Sequence, residues 1–366
     1  MKTLAAVALA KGEPLEMREL TLDETRPDEV RVKLVATGVC HTDAIVRDQI
    51  YPLPLPLVLG HEGAGIVEAV GDAVTSVAVG DHVVLSFPSC GVCGSCVSGH
   101  PAYCVDFGAL AMGGARSDGT TAFKAEDGSN VSSHFFGQSS FATVTNVYER
   151  SVVKISKDVP LEIMGPLGCG IQTGAGAVLN VLKPEAGSSI VIFGTGAVGM
   201  SGLLAAVIAN CTTIIAVDIV DSRLARAKEL GATHTINSKN EDAVAKIREI
   251  TGQGANYALD TTGNAMVFAQ MTKALGTLGH GALVGAAAPG TESPVDIGGL
   301  LLSGIKISMV IEGDAVPQTF IPKLISLYQK GLFPFDKLVK KYEFAEINTA
   351  FADSESGETL KPVVIF

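Results

Sequence analysis

Hydrophobic and polar positions alternate through the first part of the chain, as they do in β-strands with one buried face. Short runs such as EVRVKLVATGV, GAGIVEAVG and FATVTNV are separated by glycine and proline. The first run, TLAAVALA after Lys2, has the short apolar core of a signal peptide, but charged residues follow at once and favour a first strand. Residues 1–170 are therefore predicted to form a mainly β domain with long loops. The prolines of YPLPLPLVLG predict an extended loop within it.

The pattern changes after Cys169, where strand-like runs begin to alternate with helix-like runs. Ser189–Phe193 is a short apolar run, and TTIIAVD, THTIN, NYALDTTG and HGALVGA follow it at intervals that the helical periodicity fills. Such alternation is typical of βαβ units, so residues 171–310 are predicted to form a doubly wound parallel sheet of the Rossmann type. Residues 311–366 are predicted to return to the first domain.

Composition restricts the possible partners. The net charge of -11 argues against nucleic acids, whose phosphates attract lysine and arginine, and against anionic membrane surfaces. No run approaches the roughly 18 apolar residues of a membrane span, so a cytoplasmic protein is expected by default. The seven cysteines are odd in number and four are clustered, which favours metal binding over disulfides.

A glycine-rich motif predicts a dinucleotide site. GTGAVG follows a strand-like run and opens an apolar helix; its residues are Gly194, Thr195, Gly196, Ala197, Val198 and Gly199. A plain helix-entry turn is the alternative, but Asp218 ends the next strand about 20 residues on, where an acid accepts the ribose hydroxyls. Its charge would repel a 2′-phosphate and favours NAD over NADP, although Arg223 lies close by.

The cysteine cluster predicts a structural metal site. It comprises Cys90, Cys93, Cys96 and Cys104. Four thiolates complete a tetrahedral zinc shell and leave no open position. An iron–sulfur cluster and a redox Cys-x-x-Cys pair are the alternatives.

Three other residues, Cys40, His61 and Cys169, lie far apart, and spacing alone favours isolated buried side chains over a shared metal site. The motifs around them carry a resemblance. GHEGAGIVEAVG, GVCHTD, PLGCGIQTGAG, the cysteine cluster and GTGAVG resemble, in order and spacing, the zinc-containing alcohol dehydrogenases of the medium-chain dehydrogenase/reductase family. HTDAIVRDQIYPLPLPLVLGHEGAG, HFFGQSSFAT and KGLFPFDKLVKKYEF are most similar to aryl (benzyl) alcohol dehydrogenases. The resemblance covers essentially the whole chain and implies a GroES-like catalytic domain beside the Rossmann domain.

The resemblance also implies roles for single residues. Cys40, His61 and Cys169 would hold a catalytic zinc with a fourth position open to water or alcohol, and Asp43 would orient His61. Glu62 would lie beside the zinc, with a plain salt bridge as the alternative. Thr42 would accept the alcohol proton, but the relay histidine of relatives is replaced here by Ile45.

Further cofactor contacts are implied for His41, Thr173, Val284 and Lys361. His41 stands where several relatives have an arginine that contacts the pyrophosphate. Lys361 would also contact the pyrophosphate, and the alternative is that it is an ordinary solvent-exposed lysine. Cys211 matches no motif and is predicted to be a core residue. The resemblance further implies two zinc ions per subunit, NAD, and a homodimer or homotetramer.

The substrate pocket is predicted to be apolar and aromatic. Its candidate residues are Phe87, Phe135, Phe136, Phe141 and Leu53, with core packing as the alternative for each. Benzyl, cinnamyl or terpenoid primary alcohols would suit such a pocket, and a broad range of primary alcohols remains open. A polyol or secondary-alcohol dehydrogenase, a formaldehyde-processing relative, a zinc-free quinone reductase of the same fold and a non-catalytic zinc-stabilised binding protein are the competing interpretations.

Overall fold

The computed structural model describes residues 1–366, which divide into two compact units. Unit 1 contains Met1–Cys169, Val316–Gln329 and Asp336–Phe366, and unit 2 contains Gly170–Ala315 and Lys330–Phe335. The first change of unit falls one residue before the boundary expected from the sequence. The chain returns to unit 1 at Val316, but the short segment Lys330–Phe335 again belongs to unit 2.

The elements are numbered in chain order. The strands are β1 (Lys2–Ala8), β2 (Glu16–Leu22), β3 (Glu29–Gly38), β4 (Leu57–Val58), β5 (Gly63–Val70), β6 (His82–Leu85), β7 (Phe123–Lys124), β8 (Asn130–Val131), β9 (Val144–Tyr148), β10 (Val152–Lys154), β11 (Ser189–Phe193), β12 (Thr213–Asp218), β13 (His234–Asn237), β14 (Ala255–Asp260), β15 (Leu275–Leu283), β16 (Lys306–Met309), β17 (Val339–Glu343) and β18 (Lys361–Ile365). The α-helices are α1 (His41–Arg47), α2 (Gly94–Val97), α3 (Phe107–Met112), α4 (Gly170–Gly176), α5 (Ala197–Ile208), α6 (Asp221–Glu229), α7 (Ala243–Thr251), α8 (Ala265–Ala274), α9 (Ile297–Ser303), α10 (Pro317–Gln329) and α11 (Ile347–Ser356).

Unit 1 is built on two sheets. One has the order β4-β1-β2-β7-β8, and the other has the order β10-β6-β5-β3-β18-β17 with β9 paired to β3. β1 pairs antiparallel with β2 along most of its length, which confirms the expected first strand. The proline-rich segment gives only the two-residue β4, because prolines cannot supply ladder donors. No helix in the structure has both the length and the apolar character that crossing a bilayer requires.

Unit 2 contains a six-stranded parallel sheet in the order β13-β12-β11-β14-β15-β16. This is the strand order of the Rossmann fold, in which ligands bind beyond the carboxyl ends of the strands where the order reverses. That point lies between β11 and β14, directly before Gly194. The prediction of a mainly β domain followed by a doubly wound sheet is therefore confirmed.

One helix differs from its prediction. The apolar run TGAGAVLNVL, which begins at Thr173, has a helix-like pattern that predicts one helix, but α4 ends at Gly176 and Ala177–Leu182 continues as a π-helix. The π-helix ends at Lys183, which is left-handed with φ 47° and precedes Pro184. Proline disfavours helical geometry in the residue before it, which explains the termination there.

Candidate functional site

Three loops of unit 1 bring Cys40, His61 and Cys169 together. Cys40 precedes α1, His61 lies between β4 and β5, and Cys169 follows a 3₁₀ turn that runs over Gly165–Gly168. The two sulfur atoms and the imidazole nitrogen lie within 4.8 Å of one another. His61 Nε2 is buried and has no hydrogen-bond partner, although buried polar atoms are normally paired. Two thiolates, one imidazole and an unsatisfied nitrogen match the ligand set of a catalytic zinc.

Asp43 fixes the orientation of this cluster. Its Oδ1 atom lies 2.9 Å from His61 Nδ1 and accepts a hydrogen bond from the Gly60 amide at 3.0 Å. Its Oδ2 atom accepts the Cys40 amide at 3.0 Å. A carboxylate at Nδ1 places the proton on that nitrogen, so the lone pair of Nε2 is left for a metal. The structure thus places Asp43 where the resemblance implied.

The charges around Cys40 favour its thiolate form. A hydrogen bond with Cys169 and the positive charge of Lys361 outweigh burial and hold the pKa of Cys40 well below its usual value. Only a deprotonated thiol is a metal ligand, so this environment prepares the site for a cation.

Lys361 lies beside this site and is not an exposed lysine. Only 3% of its surface is accessible, and its ammonium donates to both carboxylate oxygens of Glu62 at 2.9 Å and to the Val39 carbonyl at 3.3 Å. Burial disfavours the charge, but the Glu62 carboxylate outweighs it and raises the pKa of Lys361. Glu62 therefore forms a salt bridge, which was the alternative to its role beside the zinc. Lys361 is its partner in this bridge and does not face solvent.

Gly38 provides the space for this buried pair. A Cβ atom at this position would lie 1.9 Å from Glu62 Oε2, far inside van der Waals contact. The absence of a side chain at the end of β3 is therefore a condition for the Glu62–Lys361 bridge.

The proposed proton acceptor lies at the edge of the cluster. Thr42 is half-buried, and its hydroxyl oxygen is 3.9 Å from Cys40 Sγ. His41 begins α1 and is exposed, whereas Ile45 is 7% exposed in the core of unit 1. The position that carries a histidine in relatives is thus apolar.

Aromatic residues cover one side of the cluster. The Phe136 ring stacks on the His61 imidazole with a centroid separation of 4.6 Å and an angle of 28°, and Phe135 meets the same imidazole edge-on at 5.4 Å. Phe135 and Phe87 are almost fully buried in the main hydrophobic cluster. Phe136 belongs to the same cluster and is 5% exposed.

Leu53 and Phe141 belong to the same hydrophobic cluster. Phe141 has no exposed surface and packs edge-on against Phe351. Cys211, in unit 2, is buried as expected. Of the pocket candidates, Phe136 is the one whose ring stacks face to face on the His61 imidazole.

The cysteine cluster forms a second metal-binding arrangement in unit 1. The four sulfur atoms of Cys90, Cys93, Cys96 and Cys104 lie within 4.8 Å of one another, with 4.0 Å between those of Cys93 and Cys104. Tetrahedral zinc with Zn–S bonds of roughly 2.3 Å separates its sulfurs by about 3.8 Å. The fit to a closed Cys₄ site is therefore good.

The glycine motif and Asp218 meet in unit 2. Gly196 precedes α5, and a Cβ at Gly199 would approach the Gly194 carbonyl oxygen to 1.9 Å, so the helix can pack this closely only with glycine. Asp218 Oδ2 accepts the Thr195 amide and hydroxyl at 2.6 and 2.7 Å. The carboxylate thus lies directly at the turn that would bind the dinucleotide.

The other cofactor candidates of unit 2 have defined positions. Arg223 follows the start of α6, and its Nε atom is buried without a hydrogen-bond partner. Thr173 on α4 donates to Glu312 at 3.4 Å, and the Val284 amide donates to the Asp260 carbonyl at 2.9 Å. Thr173 and Val284 thus each make a hydrogen bond to another residue of unit 2.

Sequence reasoning missed a buried charge network in unit 1. Glu29 accepts from Arg116 Nε at 2.6 Å and Nη2 at 3.1 Å, and from His134 Nε2 at 3.0 Å. These hydrogen bonds outweigh burial and lower the pKa of Glu29 to about 2. Arg116 lies between α3 and β7, and His134 directly precedes Phe135 and Phe136. No spacing in the sequence connects these three residues, so no sequence signal indicated them.

Two family models match the chain. An alcohol dehydrogenase GroES-like domain matches residues 26–157, and a zinc-binding dehydrogenase domain matches residues 197–330. Together with the two clusters of metal-binding side chains and the Rossmann sheet, these matches define a zinc-dependent dehydrogenase. The chain belongs to the zinc-dependent medium-chain alcohol dehydrogenases. The cofactors of this class are zinc and NAD, and its members act on small molecules.

Individual relatives are similar over their whole length. Geraniol dehydrogenase of Castellaniella defragrans is 45% identical, covering 99% of this chain and 97% of the relative. The crystal structure of benzyl alcohol dehydrogenase from Acinetobacter calcoaceticus is 54% identical with a TM-score of 0.97, covering 100% of this chain and 99% of that one. An alcohol dehydrogenase zinc-binding domain protein from Burkholderia ambifaria is 56% identical with a TM-score of 0.99, at the same coverage.

Proposed function

We propose that this enzyme oxidises primary aromatic or allylic alcohols reversibly to aldehydes with NAD, as an aryl-alcohol dehydrogenase does. The observation that carries the proposal is the Cys40–His61–Cys169 cluster, whose imidazole is covered by the Phe136 ring. The names of the two relatives, one acting on benzyl alcohol and one on geraniol, support a flat unsaturated alcohol. A broad-range or terpenoid primary alcohol dehydrogenase is the alternative.

The reaction converts an alcohol and NAD⁺ into an aldehyde, NADH and one proton. Zinc at the three-residue cluster supplies Lewis acidity that lowers the pKa of an alcohol hydroxyl by several units, and NAD⁺ supplies the hydride acceptor. Thr42 takes up the hydroxyl proton through its side-chain oxygen, close to Cys40. Asp43 keeps the proton of His61 on Nδ1 and so leaves Nε2 available.

The proton then leaves Thr42 without a histidine. Ile45 offers no ionisable group and is almost fully buried, so the relay would not continue through this position and the proton would leave Thr42 for water by another route. Four further residues would contact the cofactor. They are His41, which is exposed at the start of α1, and Thr173, Val284 and Lys361. For Lys361 this contact must be shared with the bridge to Glu62.

The preference for NAD rests on Asp218. Its carboxylate sits at the glycine turn, where a 2′-phosphate on the ribose would meet a negative charge. Arg223 is close to Asp218 in sequence, and its buried Nε atom has no hydrogen-bond partner. This side chain would make a further contact to the adenosine ribose.

We also propose that the enzyme self-associates through β16, as a homodimer or as a homotetramer that contains the same interface. This strand is one of the two edges of the parallel sheet, and an edge strand is where a second chain can extend a sheet. Ile297, Leu301 and Leu302 of the adjacent α9 are 76%, 80% and 89% exposed, and Met309 of β16 is 59% exposed. A second copy pairing antiparallel with the same strand would satisfy the edge and cover these side chains at once.

Rates of NADH formation test the substrate proposal. Benzyl alcohol, cinnamyl alcohol and geraniol would be compared with cyclohexylmethanol and 1-hexanol on protein of measured zinc content. A flat unsaturated substrate is expected to give a kcat/KM at least about tenfold above that of cyclohexylmethanol, which has a ring of similar size. Equal values for benzyl alcohol and cyclohexylmethanol would overturn the aromatic or allylic assignment, and activity without zinc would overturn the mechanism.

A further inference from the structure

Asp43 accounts for only part of the geometry of the three-residue cluster. Its two oxygen atoms hold the Cys40 amide, the Gly60 amide and the His61 ring. These contacts connect Cys40 with His61. Cys169 comes from a segment more than a hundred residues later, so another contact must hold it in place.

Gln138 has a buried side-chain amide that contacts the backbone of His61, Gly63 and Ser86. Its Nε2 atom donates to the His61 carbonyl at 2.9 Å and to the Ser86 carbonyl at 3.3 Å, while Oε1 accepts from the Gly63 amide at 3.1 Å. Gln138 has no exposed surface, so nothing in solvent replaces these bonds. Because carbonyls face the amide nitrogen and an amide faces the oxygen, only one orientation of the side chain satisfies all three partners.

Ser86 extends this connection to the third residue of the cluster. Its hydroxyl donates to the Gly168 carbonyl at 2.7 Å, and Gly168 is the residue before Cys169. Ser86 has no exposed surface either. The side chain of Gln138 thus holds the backbone of His61 and Ser86, and the side chain of Ser86 holds the backbone next to Cys169.

We propose that Gln138 and Ser86 act together as a brace that sets the position of Cys169 relative to His61. Both are positioning residues, since each acts on the backbone of a metal-binding residue. Zinc tolerates deviations of only about 0.2 Å in its bond lengths, so the spacing of its ligands determines affinity. Partners outside the ligand shell typically change metal affinity by 10–100-fold when removed.

Ser151 provides a matched control. Its hydroxyl is fully buried like that of Ser86 but has no hydrogen-bond partner. Its carbonyl accepts the Ser86 amide at 2.8 Å, so the two serines occupy the same part of unit 1. Ser151→Ala removes a buried hydroxyl without removing a contact to the cluster, whereas Ser86→Ala removes the contact to Gly168.

The test measures zinc release from the purified holoenzyme to a chromogenic chelator. His61→Ala identifies the release phase that belongs to the three-residue cluster, because that phase is lost in this variant. Ser86→Ala and Gln138→Met are each expected to accelerate this phase about tenfold and to leave the Cys₄ phase unchanged. The double variant should be no faster than about the faster single variant, since the two residues act in series.

Two results would overturn the brace. One is a cluster phase in Ser86→Ala as slow as in Ser151→Ala, and the other is an equal acceleration of both phases, which indicates general loosening. If Gln138→Met does not fold, Ser86→Ala against Ser151→Ala decides alone. The inference rests on the proposed zinc assignment, and a wild-type content of one zinc per chain would overturn that assignment instead.

Discussion

The Phe136 ring lies face to face with the His61 imidazole at a centroid distance of 4.6 Å. Phe136 holds this position with a left-handed backbone, φ 50°, next to the left-handed His134 and Gly137. A bulky residue rarely adopts this conformation, and such strain persists only where the surroundings enforce it. The turn therefore fixes an aromatic face beside a proposed metal-binding residue.

Replacing Phe136 should change substrate preference. We expect Phe136→Leu to lower kcat/KM for benzyl alcohol about tenfold relative to 1-hexanol, because an aromatic contact contributes about 0.5–1.5 kcal/mol beyond its area. Steady-state kinetics with both alcohols measure the ratio. An unchanged ratio would show that Phe136 is only a packing residue.

Replacing Thr42 should block proton removal. Thr42→Val keeps the shape but removes the hydroxyl, and we expect turnover to fall by about a hundredfold or more, as for other general acid–base groups. Zinc content should stay at the wild-type value, and Thr42→Ser should restore most of the activity. Turnover in Thr42→Val equal to that of wild type would refute the relay.

Asp218 should determine the choice of cofactor. Asp218→Asn removes the charge and keeps the size, so the kcat/KM ratio of NAD over NADP should fall at least about tenfold. Asp221→Asn, three residues further and exposed, is the control for a general loss of negative charge. The same ratio in both variants would contradict the role of Asp218.

Glu29 should stabilise unit 1 in a pH-dependent way. Its pKa falls from 4.5 to about 2 on folding, so its contribution is complete above about pH 5 and is lost as the pH falls towards 2. This shift corresponds to roughly 3 kcal/mol at neutral pH, and about half of that remains near pH 3. Glu29→Gln should lower the unfolding free energy accordingly in urea titrations at pH 7 and less at lower pH. If the difference in unfolding free energy between wild type and Glu29→Gln does not shrink as the pH falls, the charge of Glu29 is not what stabilises unit 1.

The exposed face of α9 should control assembly. Leu302→Glu introduces a charge at a side chain that is 89% exposed, and we expect it to split the proposed assembly and lower the mass measured by light scattering after gel filtration. Val79→Glu, at a 65% exposed residue of unit 1, should leave the mass unchanged. An unchanged mass in both variants would place the interface elsewhere.

Local patterning was sufficient for much of the fold. The apolar run Ser189–Phe193 was predicted as a strand with the same bounds that β11 has, because a buried parallel strand is apolar throughout. The helix from Thr173 was only partly right, since periodicity does not distinguish α from π geometry. The three-residue cluster came from the family resemblance, because its members are too far apart in sequence for spacing to relate them.

Contacts between distant side chains were outside the reach of the sequence. Lys361 was expected at a pyrophosphate or in solvent, but its partner Glu62 is 299 positions away and only the pairing of β18 with β3 brings them together. Gln138 and Ser86 contact backbone atoms, which carry no residue-specific signal. Such contacts depend on strand register and turn geometry.

The bare backbone at Gly38 has a consequence for engineering this enzyme. Because a methyl group there would lie 1.9 Å from Glu62 Oε2, an alanine would force the carboxylate to shift and would disturb its buried bridge to Lys361. Mutant libraries aimed at a wider range of alcohols should therefore keep position 38 constant and vary the aromatic side chains instead.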